Sequence, residues 1–490
     1  MNDFKSLDER YSHLSVQLDE PGFAGSGFLM LARAKTVAIL SSDKMLGGGD
    51  NRTGWFDVRL KDPQERPILL HNAVRQQTKM ASQPGGLYEE HIFPNTVVFN
   101  ADRLNSDGRL RSVSFTLHKF RNFFHYEHIE NQSLHGARAQ LRRELRLARR
   151  NVPGHHARRH DFFQPSDVYV VHAAPRTLRF RLDDRVYQVV TATHHATDFG
   201  SVRIEAQPVA RIDFDEPVTI DEALDEVWAW RRFFVQAAME PLWPKAISAR
   251  GRADPRHGEA DFYLANLDDQ GGEEADPFGF RAGDAPYFRW KDRAALSQLM
   301  RSWLAKDGER RVFRVAVDRV IEGLQKRTSI EDILTLCSAV ESLPEFGQRS
   351  KFSGEQIKVL VNGAVEAGKS AKIVVGADRL RGLLDMLNNQ SLPGRLALLA
   401  ETIAPAVAKE QARVAISAAL SLRTMAAHGQ SMPESVMPVV HPTIDALAGM
   451  CATYDLITCG APINTTDSSR LLPIRRASQA IVALKYFRGR

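Results

Sequence analysis

The sequence is poor in cysteine, has no long apolar run and contains no internal repeat. Its three cysteines, Cys337, Cys451 and Cys459, are odd in number and widely spaced, which fits neither a disulfide framework nor the spacing of zinc ligands. No apolar run approaches the roughly 20 residues that a membrane-spanning helix needs, and no unit of about 20–50 residues recurs. We therefore expect a reducing compartment, no structural metal and no membrane contact.

The N-terminal residues also lack a targeting pattern. The stretch MNDFKSLDERYSHL is polar and charged, unlike a signal or transit peptide, so we expect a cytoplasmic protein. A chain of 490 residues is long enough for two or three domains. Its net charge of +6 permits an anionic partner such as RNA but does not require one.

Short segments rich in β-branched and aromatic residues dominate the chain between about residues 20 and 210. They include WFDVRL and SVSFTLHKF, and turn clusters such as QPGG separate them. Strands without intervening helices predict an antiparallel sandwich or a barrel-like domain. The segment TLRFRLDDRVYQVV predicts a hairpin with Asp183 and Asp184 at its turn.

Residues 135–160 interrupt this pattern with many arginines and histidines. Two interpretations stay open: a solvated surface helix or insertion, and a patch that binds the phosphates of a nucleic acid. The segment lacks the interleaved aromatic residues on which single-stranded bases stack. Its candidate RNA-binding residues are Arg142, Arg143, Arg146, Arg149 and Arg150.

Helical periodicity begins with EPVTIDEALDEVWAWRRFF and dominates from about residue 290 to the end. Thr219 and Glu222 have the spacing of a capping box at the start of the first of these helices. Further helices are predicted at about 353–370, 376–389 and 392–403, and from Pro405 onward.

The segment SIEDILTLCSAVESLPEF predicts a helix that Ser329 and Asp332 cap and Pro344 closes. Glu341 ends the apolar face of this helix. An unpaired buried carboxylate is costly. Glu341 therefore either bends out to water or is held inward by a basic partner.

The segment GAVEAGKS at residues 363–370 matches the phosphate-binding loop of ATPases. That loop needs a strand before it and a helix after it, so that backbone amides surround the phosphates. The preceding residues instead have helical periodicity, with Leu360 and Val361 among its apolar positions. The segment predicts the end of a surface helix capped by Gly368; an authentic loop would make this a Lys369-dependent ATPase.

The segment SLRTMAAHG places Arg423 and His428 near the end of an Ala-rich helix, just before Gly429. Both residues suit a helix end, because a cation there complements the helix dipole. They also suit chemistry on a phosphate, since His titrates near neutral pH and Arg has donors that match phosphate oxygens. On an ideal helix the two side chains point roughly 140° apart, so a shared groove or a second subunit has to complete one site.

Arg, four residues, His and Gly in a helical region resemble the signature of HEPN domains. The surroundings resemble one branch, the ApeA-like abortive-infection proteins of bacterial phage defence. SIEDILTLCSAVESL, SLPGRLALLAETIAP and SLRTMAAHG look like three helices of that branch, and EPVTIDEALDEVWAWRRFF follows the last strands of a similar β-rich domain. One departure is Thr424, where the family often has Asn or another polar residue.

The resemblance implies an α+β multidomain fold. A β-rich antiparallel N-terminal domain with a sensor or regulatory role would occupy residues 1–250 and end in a long helix. Residues 251–285 would form an exposed connection. An all-α HEPN helical bundle would occupy residues 286–490.

HEPN ribonucleases act as dimers without a metal, so the resemblance implies an endoribonuclease that needs no cofactor. His428 would be the general acid and base, Arg423 would bind the phosphate, and Thr424 would assist. Glu341 would orient Arg423 or His428, as carboxylates often do for catalytic cations. The 2′-hydroxyl of an RNA such as tRNA would attack the phosphate and leave a 2′,3′-cyclic phosphate.

The implied partners are an RNA substrate, a second copy in a homodimer or higher homo-oligomer, and a phage-derived trigger. The alternative is a HEPN protein that binds a nucleotide or RNA and regulates without cleaving. In that case changes to Arg423 or His428 would alter stability or affinity rather than RNA cleavage.

Overall fold

The computed structural model describes most of the chain. The described residues are 13–32, 36–44, 46, 55–80, 87–120, 123, 178–198, 201–252, 258–265, 293–324, 327–347, 353–374, 376–388, 391–428, 433–461 and 472–488. The arginine candidates between Arg142 and Arg150 lie outside them, as does Gly429. The expectations for those residues stay predictions.

Twelve antiparallel strands form one sheet in the described N-terminal part of the chain. The strands are β1 (His13–Leu18), β2 (Gly25–Met30), β3 (Val37–Ser42), β4 (Phe56–Lys61), β5 (Pro67–Met80), β6 (Tyr88–Phe99), β7 (Leu110–Leu117), β8 (Leu178–Leu182), β9 (Arg185–Asp198), β10 (Ser201–Val218), β11 (Pro244–Arg250) and β12 (Ala260–Leu264). The expectation of an antiparallel N-terminal sheet is confirmed.

The first six strands form a closed ring with an apolar core of its own. Their order is β3–β2–β1–β4–β5–β6, and the ring closes because β3 also pairs with β6. Successive side chains of a strand point to opposite faces. Leu29, Leu40, Leu60 and Leu70 are fully buried in this core.

The other six strands continue from β6 in the order β12–β11–β7–β10–β9–β8. The predicted hairpin is confirmed between β8 and β9, where Leu182 pairs with Arg185. Asp183 and Asp184 form the turn, and Asp183 has a left-handed φ of 51°. Asp is among the few residues other than Gly that tolerate this conformation.

The described residues also form eleven α-helices. These are α1 (Ile220–Ala238), α2 (Arg293–Ala305), α3 (Asp307–Leu324), α4 (Ile330–Glu341), α5 (Pro344–Gly347), α6 (Gly354–Ser370), α7 (Ala377–Asn388), α8 (Leu392–Ile403), α9 (Lys409–Ala427), α10 (Met437–Thr458) and α11 (Leu472–Arg488). None of the described helices is long and apolar enough to cross a lipid bilayer.

Helix boundaries agree with the sequence pattern where a cap defines them. The backbone N–H of Thr219 donates to the Glu222 carboxylate at 2.8 Å, and the Glu222 N–H donates to the Thr219 hydroxyl at 3.2 Å. The helix predicted from Pro405 starts at Lys409 instead. The N–H groups of residues 406 and 407 still donate to the carbonyl of Ile403 at the end of α8, so the chain has not yet begun a new helix there.

Helix α10 lies at the centre of the helical bundle. It packs against α3, α4, α8, α9 and α11, and it is apolar on nearly every side, as a fully surrounded helix must be. Gly449 allows the closest approach, because a Cβ there would lie 3.0 Å from the backbone oxygen of Pro473 in α11. The bundle therefore fixes the positions of α4, α8 and α9 around one central helix.

Helix α1 joins the sheet to this bundle. The ring of Trp230 meets Phe115 of β7 edge-on at 5.8 Å, and the ring of Phe233 meets Trp303 of α2 edge-on at 5.7 Å. One apolar core therefore runs from the second half of the sheet through α1 into the helices. The sheet also continues past residue 250, since β12 lies within the stretch predicted as an exposed connection.

His71 of β5 links the closed ring of strands to α1. Its Nδ1 lies 3.0 Å from Asp57 Oδ1 of β4, and its Nε2 lies 3.1 Å from Asp221 Oδ1 in the first turn of α1. Carboxylates only accept hydrogen bonds, so both bonds require a protonated imidazolium. Burial lowers the pKa of His71, but the two carboxylates outweigh burial and raise this pKa above its usual value.

We expect this link to weaken as the pH rises. A histidine with a raised pKa in the folded state contributes stability below its unfolded pKa of about 6.5 and loses that contribution as the pH rises through the folded value. Wild type should therefore lose more unfolding free energy above about pH 6.5 than His71→Gln, which stays uncharged. Urea unfolding of both proteins across this range measures the difference, and equal pH dependence would contradict the expectation.

Candidate functional site

Arg423 and Glu341 lie together where the end of α4 meets α9. Arg423 Nη2 is 3.7 Å from Glu341 Oε1, and both side chains are 39% exposed. The pair therefore sits at the rim of the bundle. The sequence left two alternatives for the Glu341 carboxylate, contact with water or a basic partner. In the structure this carboxylate reaches solvent and also has a basic partner.

The packing of α9 explains why Arg423 reaches this rim. Leu422 and Ala419 are buried on the same helix, and Arg423 follows them at the edge of the buried face. On α4, Cys337 is buried one turn before Glu341. Arg423 and Glu341 thus lie where the buried apolar faces of α9 and α4 reach the surface.

Arg395 of α8 is a second guanidinium at this helix end, and it was not singled out from the sequence. Its Nη1 donates to the backbone carbonyl of Glu341. The last carbonyls of a helix have no partner within the helix, so Arg395 closes the end of α4 and fixes the backbone that carries Glu341. The only signal for it in the sequence is a basic residue in the first turn of SLPGRLALL.

Thr424 is exposed next to Arg423. Its hydroxyl donates to the carbonyl of Leu420 in its own helix at 2.8 Å. A hydroxyl has one donor and two acceptor positions, so the oxygen of Thr424 can still accept a hydrogen bond. Any help that Thr424 gives a substrate would therefore come from its oxygen as an acceptor.

His428 ends α9, with its backbone N–H donating to the carbonyl of Thr424 at 3.2 Å. The side chain is exposed. Within the described ranges, no side chain is hydrogen-bonded to its imidazole, and the ion pair of Glu341 is with Arg423. Arg423 and His428 are about 7.5 Å apart along the helix axis and are not in contact, in line with their divergent directions on an ideal helix.

The three cysteines do not add a nucleophile to this region. Cys337, Cys451 and Cys459 are buried and unpaired. Burial raises the pKa of Cys337 to about 11, although the Arg423 charge opposes this shift. The thiolate is the reactive form, so these residues stay protonated at neutral pH. In the described part of the chain, no group of three or more His, Cys, Asp and Glu side chains is arranged to hold a metal ion.

The segment GAVEAGKS forms the last turns of α6, which ends at Ser370. Its amides belong to a helix and cannot surround a phosphate in the way a phosphate-binding loop does. Lys369 forms an exposed ion pair with Glu366 at 2.7 Å. Gly368 is not the helix cap, contrary to the prediction; Lys372 takes the left-handed conformation, with φ of 57°.

A buried charge cluster holds α3 against α10 and was not found from the sequence. Asp455 is fully buried, and its carboxylate accepts from Arg314 at 2.7 and 3.0 Å and from Arg310 at 2.7 Å. Burial raises the pKa of Asp455, but the two guanidiniums outweigh burial and hold this pKa below its usual value. The guanidinium of Arg314 also lies 3.5 Å from the ring centroid of Trp303.

This cluster supports the candidate site indirectly. It fixes α10, the helix against which both α4 and α9 pack. The available signal in the sequence was a single acid within the apolar run ALAGMCATYDLIT, because a buried acid requires a partner.

No protein-family model, no curated protein and no solved structure matches this chain.

Proposed function

We propose that this protein is an endoribonuclease of the HEPN type that cleaves RNA without a metal, through attack of the 2′-hydroxyl. The observation that carries the proposal is the arrangement at the end of α9. Arg423 is half-exposed and has Glu341 beside it, and His428 presents an exposed imidazole in the next turn. Such a site offers a guanidinium that can bind a phosphate and an imidazole, the side chain most often used for general acid–base catalysis.

His428 accepts the proton of the 2′-hydroxyl as the 2′-oxygen attacks phosphorus, and the bond from phosphorus to the 5′-oxygen breaks. A protonated imidazole returns a proton to that leaving oxygen. Arg423 donates to the non-bridging oxygens, where negative charge increases in the transition state. Glu341 restricts the guanidinium to the orientation that meets the phosphate.

We infer that a second copy of the chain completes the site in a homodimer. The side chains of Arg423 and His428 point in different directions from α9, so within one copy they do not meet at one phosphate. A second copy placed against this helix end would bring its own pair to the same RNA. By the family resemblance, the protein would act in abortive infection, and its β-rich region would sense a phage component.

The test is incubation of the purified protein with total RNA and with tRNA in excess EDTA. The proposal predicts fragments that end in a 2′,3′-cyclic phosphate. If wild type leaves RNA intact, both alone and with phage lysate as a source of trigger, the ribonuclease proposal is wrong.

One observation favours a second candidate, a HEPN protein that binds a nucleotide or RNA without cleaving it. In the part of the chain that the structure describes, no group orients the imidazole of His428, and an acid–base catalyst usually has such a partner. This candidate predicts RNA binding that depends on Arg423, without cleavage products. Measuring binding and cleavage on the same RNA separates the two functions.

Glu341→Gln should lower cleavage by about 2- to 10-fold with little change in stability. The pair with Arg423 is half-exposed, and such pairs contribute about 0–1 kcal/mol to folding. A neutral amide would leave the guanidinium less restricted but still charged. Cleavage rates and thermal midpoints of Glu341→Gln and of Glu331→Gln, an exposed acid at the other end of α4, test this; equal rates in both variants would remove Glu341 from the site.

A further inference from the structure

An open groove runs between α8 and α9, on the side of α9 that leads toward His428. Its volume is about 360 Å³, within the range of about 300–1,000 Å³ that is common for ligand sites. The lining residues are Ala397, Ala400, Glu401, Lys409, Arg413, Ile416, Ser417, Leu420 and Ser421.

The lining combines an apolar floor with a polar rim. Ala400 and Ile416 are buried beneath the groove, and they present aliphatic surface of the kind on which a flat ring can lie. Arg413 and Ser417 are exposed at the rim. This combination matches a nucleotide. The apolar floor suits the face of the base, and the polar rim suits the ribose and the phosphate.

The cations of the rim have exchangeable partners. Lys409 pairs with Glu401 at 3.0 Å, and Arg413 pairs with Glu410 at 2.7 Å. All four side chains are about half-exposed or more, and ion pairs in that setting contribute little. An arriving phosphate can therefore replace Glu410 as the partner of Arg413 at small cost.

The groove is continuous with the candidate site along one face of α9. Arg413, Ser417, Ser421, Thr424 and His428 recur every three or four residues, and all five are exposed. The distance from Ser417 to His428 along the axis is about 16 Å. An RNA strand covers that span with a few nucleotides.

We propose that this groove binds a nucleotide of the substrate RNA, a few positions from the phosphate that is cut. The proposal rests on the ribonuclease function proposed above. The base lies on Ala400 and Ile416, Arg413 binds a phosphate, and the strand then follows the exposed face past Thr424 to His428. Binding in the groove adds affinity for long RNA without taking part in the chemical step.

The experiment compares cleavage of a dinucleotide with cleavage of a hexanucleotide that contains the same scissile bond. The dinucleotide is too short to reach the groove. Ala397→Trp fills the groove from an exposed position of α8, so the variant should fold normally. Ala377→Trp, an exposed alanine at the start of α7, is the matched control.

Wild type and Ala377→Trp should cleave the hexanucleotide with a kcat/KM about tenfold above that of the dinucleotide, because covering the apolar face of one base contributes on the order of one tenfold step. Ala397→Trp should lose this advantage and keep the dinucleotide rate. If Ala397→Trp retains the advantage, the groove is not a subsite, although the ribonuclease function stands. If wild type cleaves neither substrate, both alone and with phage lysate, the proposed function fails and the subsite with it.

Discussion

If the proposed ribonuclease function holds, His428→Ala should lower the rate of RNA cleavage by about 10²- to 10⁴-fold, the range that a general acid or base contributes. Alanine cannot take up the proton of the 2′-hydroxyl, and no other imidazole among the described residues lies at the end of α9. The side chain is exposed and has no partner in the described structure, so its removal should leave the thermal midpoint unchanged. The rate and the midpoint together therefore distinguish a chemical role from a structural one.

His441→Ala is the matched control for this change. His441 is also an exposed histidine near a helix terminus, in α10, where its ring lies 3.4 Å from the hydroxyl of Thr328. We expect this variant to cleave RNA at the wild-type rate. Equal cleavage by wild type and His428→Ala would show that the activity belongs to another group or to a contaminant.

Asp455→Ala costs about 3–5 kcal/mol of unfolding free energy, the range for breaking a buried ion pair by removal of one partner. The change leaves Arg310 and Arg314 buried without the carboxylate that binds both of them. Since a whole domain is stable by only about 5–15 kcal/mol, the variant should lose a large part of its free energy of unfolding. Urea unfolding followed by circular dichroism measures the loss.

Asp225→Ala provides the comparison, because Asp225 also pairs with an arginine between helices. Arg311 Nη2 of α3 lies 2.7 Å from Asp225 Oδ1 of α1, but both side chains are about half-exposed. Its loss should cost less than about 1 kcal/mol. A similar cost for Asp225→Ala and Asp455→Ala would contradict the importance of the buried cluster.

Local features of the fold could be predicted because each depends on residues close in sequence. The hairpin turn at Asp183 and Asp184 and the cap of α1 by Thr219 and Glu222 are examples. A barrel-like closure was one of two alternatives from the sequence, but the pairing of β3 with β6 could not be predicted, since these strands are far apart in the chain. The same holds for β12, which pairs with β6 and β11 within the stretch where an exposed connection was expected.

The candidate site shows the same division between local and distant information. The apolar periodicity of α4 placed Glu341 at the end of the apolar face of this helix. Because burying an unpaired carboxylate is costly, a basic partner for Glu341 was one of the two alternatives. Periodicity alone could not say that this partner is Arg423, or that Arg395 binds the carbonyl of Glu341. Those contacts depend on how α4, α8 and α9 pack around α10.

Cleavage of an RNA with a single 2′-deoxy substitution shows whether the 2′-hydroxyl is the nucleophile. The main cleavage position is first mapped in excess EDTA, and the 2′-hydroxyl on the 5′ side of that bond is then removed. We expect cleavage at this bond to stop while cleavage elsewhere continues, because the nucleophile is gone. Continued cleavage at the substituted bond would contradict attack by the 2′-hydroxyl, and with it the role assigned to His428.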